Sequence, residues 1–310
     1  MANQKIALIG GGNIGGVLAQ QAVQRRLGDV VLFDVVDGVP QGKSLDIWEC
    51  APLLDSDCRV SGTTQYADIA GADVVIVTAG IPRKPGMSRD DLLKTNLGIM
   101  RTVATNVREY APGAFVIVVS NPLDVMVYAF QKLSGFQPQM VCGMAGVLDS
   151  ARFRAFVAEV VGVSVRDVSA MVLGGHGDTM VPLLRYCTVG GVPVTNFLTP
   201  QQLQLIVDRT KQAGGEIVGL LKTGSAFVSP AIAALEMAES YLTGQRRLLV
   251  SAAMCRGEYG VQGYYIGVPT IIGAHGVEKI VELPLNSDER TLFDASVQHV
   301  KETVDGIQWS

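Results

Sequence analysis

The fold of this chain is decided by the stretch Gly10-Gly11-Gly12-Asn13-Ile14-Gly15. A short apolar run precedes these glycines, and residues with helical periodicity follow them. The stretch fits G-x-G-x-x-G at the point where a strand passes into a helix, and this context is what makes the match specific. Glycine is needed there for a tight turn, for close approach of a pyrophosphate and for packing of the helix on the strand. The stretch therefore predicts a dinucleotide-binding unit, with the helix N-terminus facing the phosphates.

The remainder of the first half alternates short apolar runs with longer amphipathic segments. Alternation of this kind is typical of a doubly wound parallel sheet with helices on both faces, as in a Rossmann fold. We therefore predict an α/β protein. The expected strands are 5–9, 30–33, 59–62, 74–78, 115–119 and 140–143, and the expected helices are 14–26, 43–51 and 89–110.

The second half is less regular and indicates an α+β substrate domain. We predict a division into a nucleotide-binding domain, 1–144, and a substrate domain, 145–310. Ser287 is the expected N-cap of the closing helix. The expected helices of this half are 148–161, 200–221, 230–242 and 287–304, and the expected strands are 248–255, 263–268 and 270–273.

Composition bounds the class of protein. The chain has 310 residues, of which 48% are hydrophobic and 17% charged, as in a globular protein with a sizeable core. A net charge of −4 disfavours nucleic acid, whose binding depends on neutralising phosphates. The five cysteines are scattered, with no spacing that suggests zinc, which favours reduced thiols. With no membrane span or signal peptide expected, we predict a cytoplasmic protein.

A carboxylate at the end of the second strand indicates which cofactor binds. Asp34 lies about 20 residues beyond the glycine motif, where an acidic side chain accepts hydrogen bonds from the adenosine ribose. The same carboxylate would repel a 2′-phosphate, so we predict NAD over NADP. The alternative is an aspartate exposed at a strand end. Two later strand ends carry small residues suited to the cofactor: Thr78, Ala79 and Gly80 at one, and Ser120 and Asn121 at the other.

The candidate chemistry centres on His176, which stands among glycines at 174–177. Histidine exchanges protons near neutral pH, although a structural loop histidine is the alternative. Asp149 and Arg152 are three residues apart on one helix face, which permits either an ion pair or two separate roles. The loop 81–89 carries Arg83 and Arg89, and it is either a solvated basic loop or a lid over an anion.

Together these motifs resemble the lactate/malate dehydrogenase family, in their order and over nearly the whole chain. Arg83 to Arg89 is similar to malate dehydrogenases, since lactate dehydrogenases have glutamine where Arg83 stands. The resemblance implies reversible NAD-dependent oxidation of (S)-malate to oxaloacetate by hydride transfer, as in the tricarboxylic acid cycle, in a homotetramer or a homodimer. It implies His176 as proton carrier with Asp149 as its partner. It also implies substrate contacts from Arg83, Arg89, Asn121 and Arg152, and cofactor contacts from Gly10, Gly12, Asn13, Ile14, Gly15, Asp34, Thr78, Ala79, Gly80, Asn96, Val119 and Asn121.

Three rival functions remain open at this point. A lactate or other 2-hydroxyacid dehydrogenase is disfavoured by Arg83. An NAD-dependent glycosidase of related fold usually needs a metal-binding set of cysteine and histidine, and the scattered cysteines offer no obvious one. A non-catalytic NAD-binding protein would be expected to have lost one of the site residues, and all of them are present.

Overall fold

The computed structural model describes residues 4–81 and 88–309, and its centre is a single nine-stranded sheet. Six of the strands come from the first half of the chain and pair in parallel. The elements of this half are β1 (Lys5–Ile9), α1 (Asn13–Gln24), β2 (Asp29–Phe33), α2 (Val39–Glu49), β3 (Val60–Thr63), β4 (Val74–Val77), α3 (Arg89–Tyr110), β5 (Phe115–Val118), α4 (Leu123–Ser134) and β6 (Val141–Gly143).

The parallel strands lie in the order β3-β2-β1-β4-β5-β6, which is the arrangement of two mononucleotide-binding halves. Strands β4 and β5 are buried along their whole length and consist of valine, isoleucine and phenylalanine, as expected of strands covered on both faces. The predicted Rossmann fold is therefore confirmed. The order reverses between β1 and β4, and ligands of such sheets bind beyond the carboxyl ends of the strands at this point.

The second half extends the same sheet instead of building a separate one. Ala252 of its first long strand pairs antiparallel with Gly143 of β6. The division at residues 144 and 145 stays a prediction, since strands from both sides share this sheet. The elements are α5 (Gly146–Val161), β7 (Val168–Ser169), β8 (Val172–Leu173), β9 (Val181–Pro182), β10 (Thr188–Val189), β11 (Val192–Pro193), α6 (Pro200–Leu221), α7 (Val228–Leu242), β12 (Arg247–Arg256), β13 (Gln262–Gly273), β14 (Gly276–Ile280) and α8 (Ser287–Asp305).

Several local predictions differ from the structure, including those for α4, β13 and the N-cap of α8. Helix α4 was absent from the expected elements, because its first part is a nearly continuous apolar run, 123–130, which periodicity alone does not distinguish from a buried strand. The two strands expected around Pro269 form one continuous strand, β13. The part of β13 that pairs with β14 begins at Thr270, directly after this proline. Proline is tolerated where a neighbouring strand's pairing ends. The N-cap of α8 is Asn286, not Ser287, and its side chain accepts from the Glu289 N–H.

Further features of the described residues concern the cysteines, the helices and clusters of metal-ligating side chains. All five cysteines are free, and four of them are buried. Among residues 4–81 and 88–309, no helix has the length and apolarity required to span a bilayer. No cluster of three or more metal-ligating side chains occurs in these same ranges.

The turn between β1 and α1 requires glycine at two places for reasons of packing. Gly10 has a φ of +120°, and a Cβ there would lie 2.5 Å from Thr78 Oγ1. A Cβ on Gly15 would lie 2.0 Å from the carbonyl oxygen of Gly10, a contact with rigid backbone. By contrast, a Cβ on Gly16 would make only ordinary contact with Lys43, at 3.7 Å.

We expect Gly15→Ala to lower the free energy of unfolding by about 3 kcal/mol, because the new methyl group must push the helix away from the turn. Gly16→Ala is the matched control, one residue further along the same helix. It should raise stability by about 0.8 kcal/mol, since alanine favours the helix and meets no obstacle. Urea unfolding curves of both variants test the prediction. Equal midpoints for the two variants would contradict it.

Candidate active site

The carboxyl ends of β1 and β2 form a backbone cradle. Gly12 is the N-cap of α1, and a Cβ placed on it would meet nothing within 4 Å, so packing within the chain does not account for glycine there. Asn13 and Ile14 open the helix behind it. Asp34 stands at the end of β2, and its carboxylate accepts from the Gly11 N–H at 2.6 Å. This open turn at a helix N-terminus fits a pyrophosphate, and the adjacent carboxylate fits a ribose.

The ends of β4 and β5 lie along the same edge of the sheet. Thr78 donates its hydroxyl to carbonyl oxygens of the glycine turn, at 3.2 Å from that of Gly10. Val119 is buried and donates its N–H to the Val77 carbonyl at 2.8 Å. Ser120 Oγ donates to the Ala79 carbonyl at 2.6 Å. The structure thus brings the predicted cofactor residues of all four strand ends to one edge.

Asn96 connects two loops of this edge. Its side chain is buried, accepts from the Ile81 N–H at 2.9 Å and donates to the Asn121 carbonyl at 2.7 Å. A Cβ on Gly80 would lie 3.3 Å from the same amide. In this arrangement the Asn96 amide holds the backbone next to Gly80 and the backbone of the exposed Asn121 by hydrogen bonds. The predicted cofactor contact of Asn96 stays a prediction, and the structure shows it holding the loops that would make such contacts.

Three predicted residues meet in the second half. His176 Nδ1 lies 2.9 Å from Asp149 Oδ2, and Arg152 Nη1 lies 3.4 Å from the other oxygen of Asp149. Asp149 and Arg152 belong to α5, and only 3% of the Asp149 side chain is exposed. The His176 side chain is 20% exposed, so its ring has access to solvent at the edge of the site. The buried Arg152 Nε has no hydrogen-bond partner among the described residues.

Opposing effects set the pKa of His176. Burial alone lowers it, but the charge and hydrogen bond of Asp149 and the charge of Asp124 outweigh burial, and Arg152 opposes them. The net result is a pKa raised above the usual value for histidine. The imidazolium form is therefore more favoured than in an ordinary histidine, as a proton donor requires.

The two loop arginines are only partly covered by the structure. Arg83 lies outside the described residues. Arg89 is the first residue of α3, where Ser88 forms a capping box with Asp91, but its side chain also lies outside the described part. Their predicted contacts with substrate stay predictions.

Sequence reasoning missed three residues that touch the site. Asp124 accepts from the backbone N–H of His176, and Ser296 accepts from that of Gly175. Lys43 donates to the Gly11 and Gly12 carbonyls at 2.7 and 2.9 Å. Asp124 could have been noticed as the one acidic residue in the apolar run 123–130. Ser296 and Lys43 sit on amphipathic surfaces where nothing in the sequence marks them.

Family models match both halves of the chain. Residues 4–143 match the lactate/malate dehydrogenase NAD binding domain, and residues 146–308 match the alpha/beta C-terminal domain of the same family. The chain belongs to the lactate/malate dehydrogenase family. The predicted family, the α/β fold and the NAD cofactor are thereby confirmed.

Individual members of this family are similar over nearly their whole length. The malate dehydrogenase of Geotalea uraniireducens is 59% identical over 99% of this chain and 100% of its own, and that of Roseobacter denitrificans is 59% identical over 97% and 96%. Among solved structures, lactate dehydrogenase from Cryptosporidium parvum with lactic acid and nicotinamide adenine dinucleotide is 48% identical, with a TM-score of 0.96. The match covers 99% of this chain and 100% of that one. The malate dehydrogenase of the same organism has 46% identity, TM-score 0.96 and 98% coverage of both chains.

Within this family site, Asp34 should decide between NAD and NADP. We expect Asp34→Asn to lower the preference for NADH over NADPH by about 10-fold, because the amide no longer repels a 2′-phosphate yet keeps an acceptor for the Gly11 N–H. Asp37→Asn is the control, as Asp37 is an exposed acid of the following turn. Fluorescence titration with both nucleotides measures the ratio. An unchanged ratio in Asp34→Asn would place the selectivity elsewhere.

Proposed function

We propose that this protein is an NAD-dependent malate dehydrogenase that interconverts (S)-malate and oxaloacetate. One observation of the structure carries the proposal. A buried guanidinium with an unpaired donor, Arg152, lies against the same carboxylate that holds His176. A proton carrier and an anion-binding group with an unused donor therefore share one partner. This arrangement suits a substrate in which a carboxylate is attached to the carbon whose oxygen gains or loses the proton. The relatives at 59% identity, which are malate dehydrogenases, support the choice of substrate.

The proton chemistry follows from the His176–Asp149 pair. The hydride chemistry is what the bound cofactor would supply, with NAD as the acceptor in malate oxidation and NADH as the donor in the reverse direction. In malate oxidation the neutral imidazole takes the hydroxyl proton through the nitrogen that does not face Asp149. Asp149 keeps the ring in that tautomer and stabilises the imidazolium that forms. In oxaloacetate reduction the imidazolium returns this proton to the alkoxide oxygen.

The arginines divide the anionic groups of the substrate between them. Arg152 binds the carboxylate next to the reacting carbon, because its planar fork matches a carboxylate and its Nε–H has no partner in the described protein. Arg89 polarises the ketone oxygen, and Arg83 pairs with the distal carboxylate. Asn121 lies between cofactor and substrate. Gly10, Gly12 and Gly15, with Asp34, hold the pyrophosphate and adenosine half.

The test is NADH oxidation by the purified protein with oxaloacetate and, separately, with pyruvate. A large preference for oxaloacetate supports the proposal. A preference for pyruvate would overturn the assignment to malate and favour a lactate dehydrogenase. If NADH binds but neither substrate is reduced, the alternative of a non-catalytic NAD-binding protein takes its place.

We also propose a cytoplasmic homotetramer built as a dimer of dimers, with a homodimer as the alternative and the tricarboxylic acid cycle as the setting. Exposed apolar side chains on and after α2 support association, since Leu45, Trp48 and Leu53 are each at least half exposed. Five free thiols suit a reducing compartment. Light scattering after size exclusion measures the assembly, and the mass of one chain would contradict it.

A further inference from the structure

The loop that carries His176 is fixed from three sides. Gly174 exchanges two backbone hydrogen bonds with Gly267 of β13, at 2.8 and 3.2 Å. The next amide, of Gly175, donates to Ser296 Oγ of α8 at 2.9 Å. The amide of His176 itself donates to Asp124 Oδ2 of α4 at 2.9 Å. Three successive residues are therefore tied to three different elements, which leaves the histidine little freedom to shift.

Asp124 differs from the other two anchors because it carries a charge. It is buried in the first turn of α4, where the positive end of the helix dipole favours an acid. Its second oxygen, Oδ1, has no hydrogen-bond partner among the described residues. Burial is the main reason that the pKa of Asp124 rises to about 6, so the group is ionised at pH 7 and above. A neutral side chain of similar shape could accept the same hydrogen bond without this desolvation.

We propose that Asp124 is a positioning residue for the catalytic histidine, holding its backbone amide while its charge supports the imidazolium. The proposal rests on the proposed function for the role of His176. Asp149 then orients the ring, and Asp124 fixes the backbone from which the ring projects. Two carboxylates on different helices thus act on one imidazole, so removing either affects both the place of the ring and its protonation.

Three charged side chains among the described residues have the largest effects on the protonation of His176. Asp149 and Asp124 favour the imidazolium, and Arg152 opposes it. Helix α8 contributes the uncharged Ser296, and β13 contributes only the backbone of Gly267. The pKa of His176 should consequently fall when Asp124 is neutralised, and it should stay in place when Ser296 is removed.

The experiment compares Asp124→Asn and Asp124→Ala with Glu289→Gln. Glu289 is a matched control, because it is equally buried and its carboxylate also accepts from a backbone N–H, that of Asn286, at the N-terminal end of α8. We expect Asp124→Ala to lower kcat for oxaloacetate about 100-fold, the loss that a small misplacement of a catalytic group produces. Asp124→Asn keeps an acceptor oxygen and should recover most of kcat, but its pH profile should shift to lower pH. Glu289→Gln should change neither.

A second readout does not depend on turnover. The chain has three histidines, so ring ¹³C NMR titration of labelled protein can be assigned with His275→Asn and His299→Asn. The His176 titration should move to lower pH in Asp124→Asn and stay in place in Glu289→Gln. A His176 titration unchanged in Asp124→Asn, or a kcat of Asp124→Ala within twofold of Glu289→Gln, would overturn the proposal. Failure of the parent protein to reduce oxaloacetate would instead overturn the proposed function and leave the NMR comparison as the test of Asp124.

Discussion

Replacing His176 with asparagine is expected to lower kcat for oxaloacetate reduction by about 10³-fold, since the reaction loses its general acid. Asparagine retains a polar side chain of similar size, so the loop should stay folded. NADH binding should be unaffected, because the ring faces Asp149 and not the glycine turn. Steady-state rates with NADH and oxaloacetate, together with NADH titration, measure both quantities. His275→Asn is the matched control, as His275 is exposed and also stands among glycines.

The pair formed by His176 and Asp149 predicts that the rates of the two directions of reaction depend on pH in opposite ways. Asp149 raises the pKa of His176, so the imidazolium needed for oxaloacetate reduction persists above the usual pKa of histidine, and the rate falls as pH rises through the raised value. Malate oxidation needs the neutral ring, and its rate rises with pH over the same interval. In Asp149→Asn the pKa falls, and both limbs should move to lower pH. Limbs that coincide with those of the parent would contradict a role for Asp149 in setting the proton affinity of His176.

Removing Asp149 has a second consequence, because its other oxygen faces Arg152. The guanidinium would be left buried and unpaired, with only 12% of its side chain exposed. We therefore expect Asp149→Asn to weaken substrate binding or stability in addition to changing proton transfer. His176→Asn leaves this ion pair intact, so a thermal midpoint lowered only in Asp149→Asn would separate the two effects.

The parallel sheet was predictable from the sequence because its signals are local. Strand β1 and helices α3 and α6 lie where their apolar periodicity and flanking glycine and proline place them. Helix α4 was not predicted because the apolar run 123–130 fits a buried strand as well as a helix. The continuity of β13 through Pro269 was not predicted, because proline indicates a strand end unless the position of the neighbouring strand is known.

The site was predictable only in part, for a related reason. The spacing of Asp149 and Arg152 indicated either an ion pair or two separate roles, and the structure shows the ion pair together with a contact to His176. Asp124 meets His176 across 52 residues of chain, and Ser296 meets Gly175 across 121. Contacts of such separation arise from the assembled sheet, and no local pattern encodes them.

Substrate choice should depend on Arg83, and Arg83→Gln is expected to lower the preference for oxaloacetate over pyruvate in kcat/KM by about 10³-fold. Lactate and malate dehydrogenases share this fold with equal TM-scores of 0.96, so the choice between their substrates must come from side chains. Oxaloacetate offers Arg83 a second carboxylate to pair with, whereas pyruvate offers a methyl group. Leaving the guanidinium buried without a partner costs about 3–5 kcal/mol, and this penalty is what disfavours pyruvate.

Lys84→Gln is the control that separates charge from position, since Lys84 is the neighbouring cation of the same loop. If attraction of a dianion by the loop as a whole sets specificity, both variants should lose the preference by similar factors, and added salt should reduce it in the parent. If a direct pair sets it, only Arg83→Gln should lose the preference, and its kcat/KM for pyruvate should rise while that for oxaloacetate falls. A rise with pyruvate is the decisive sign, because it shows that arginine acts against the smaller substrate as well as for the larger one.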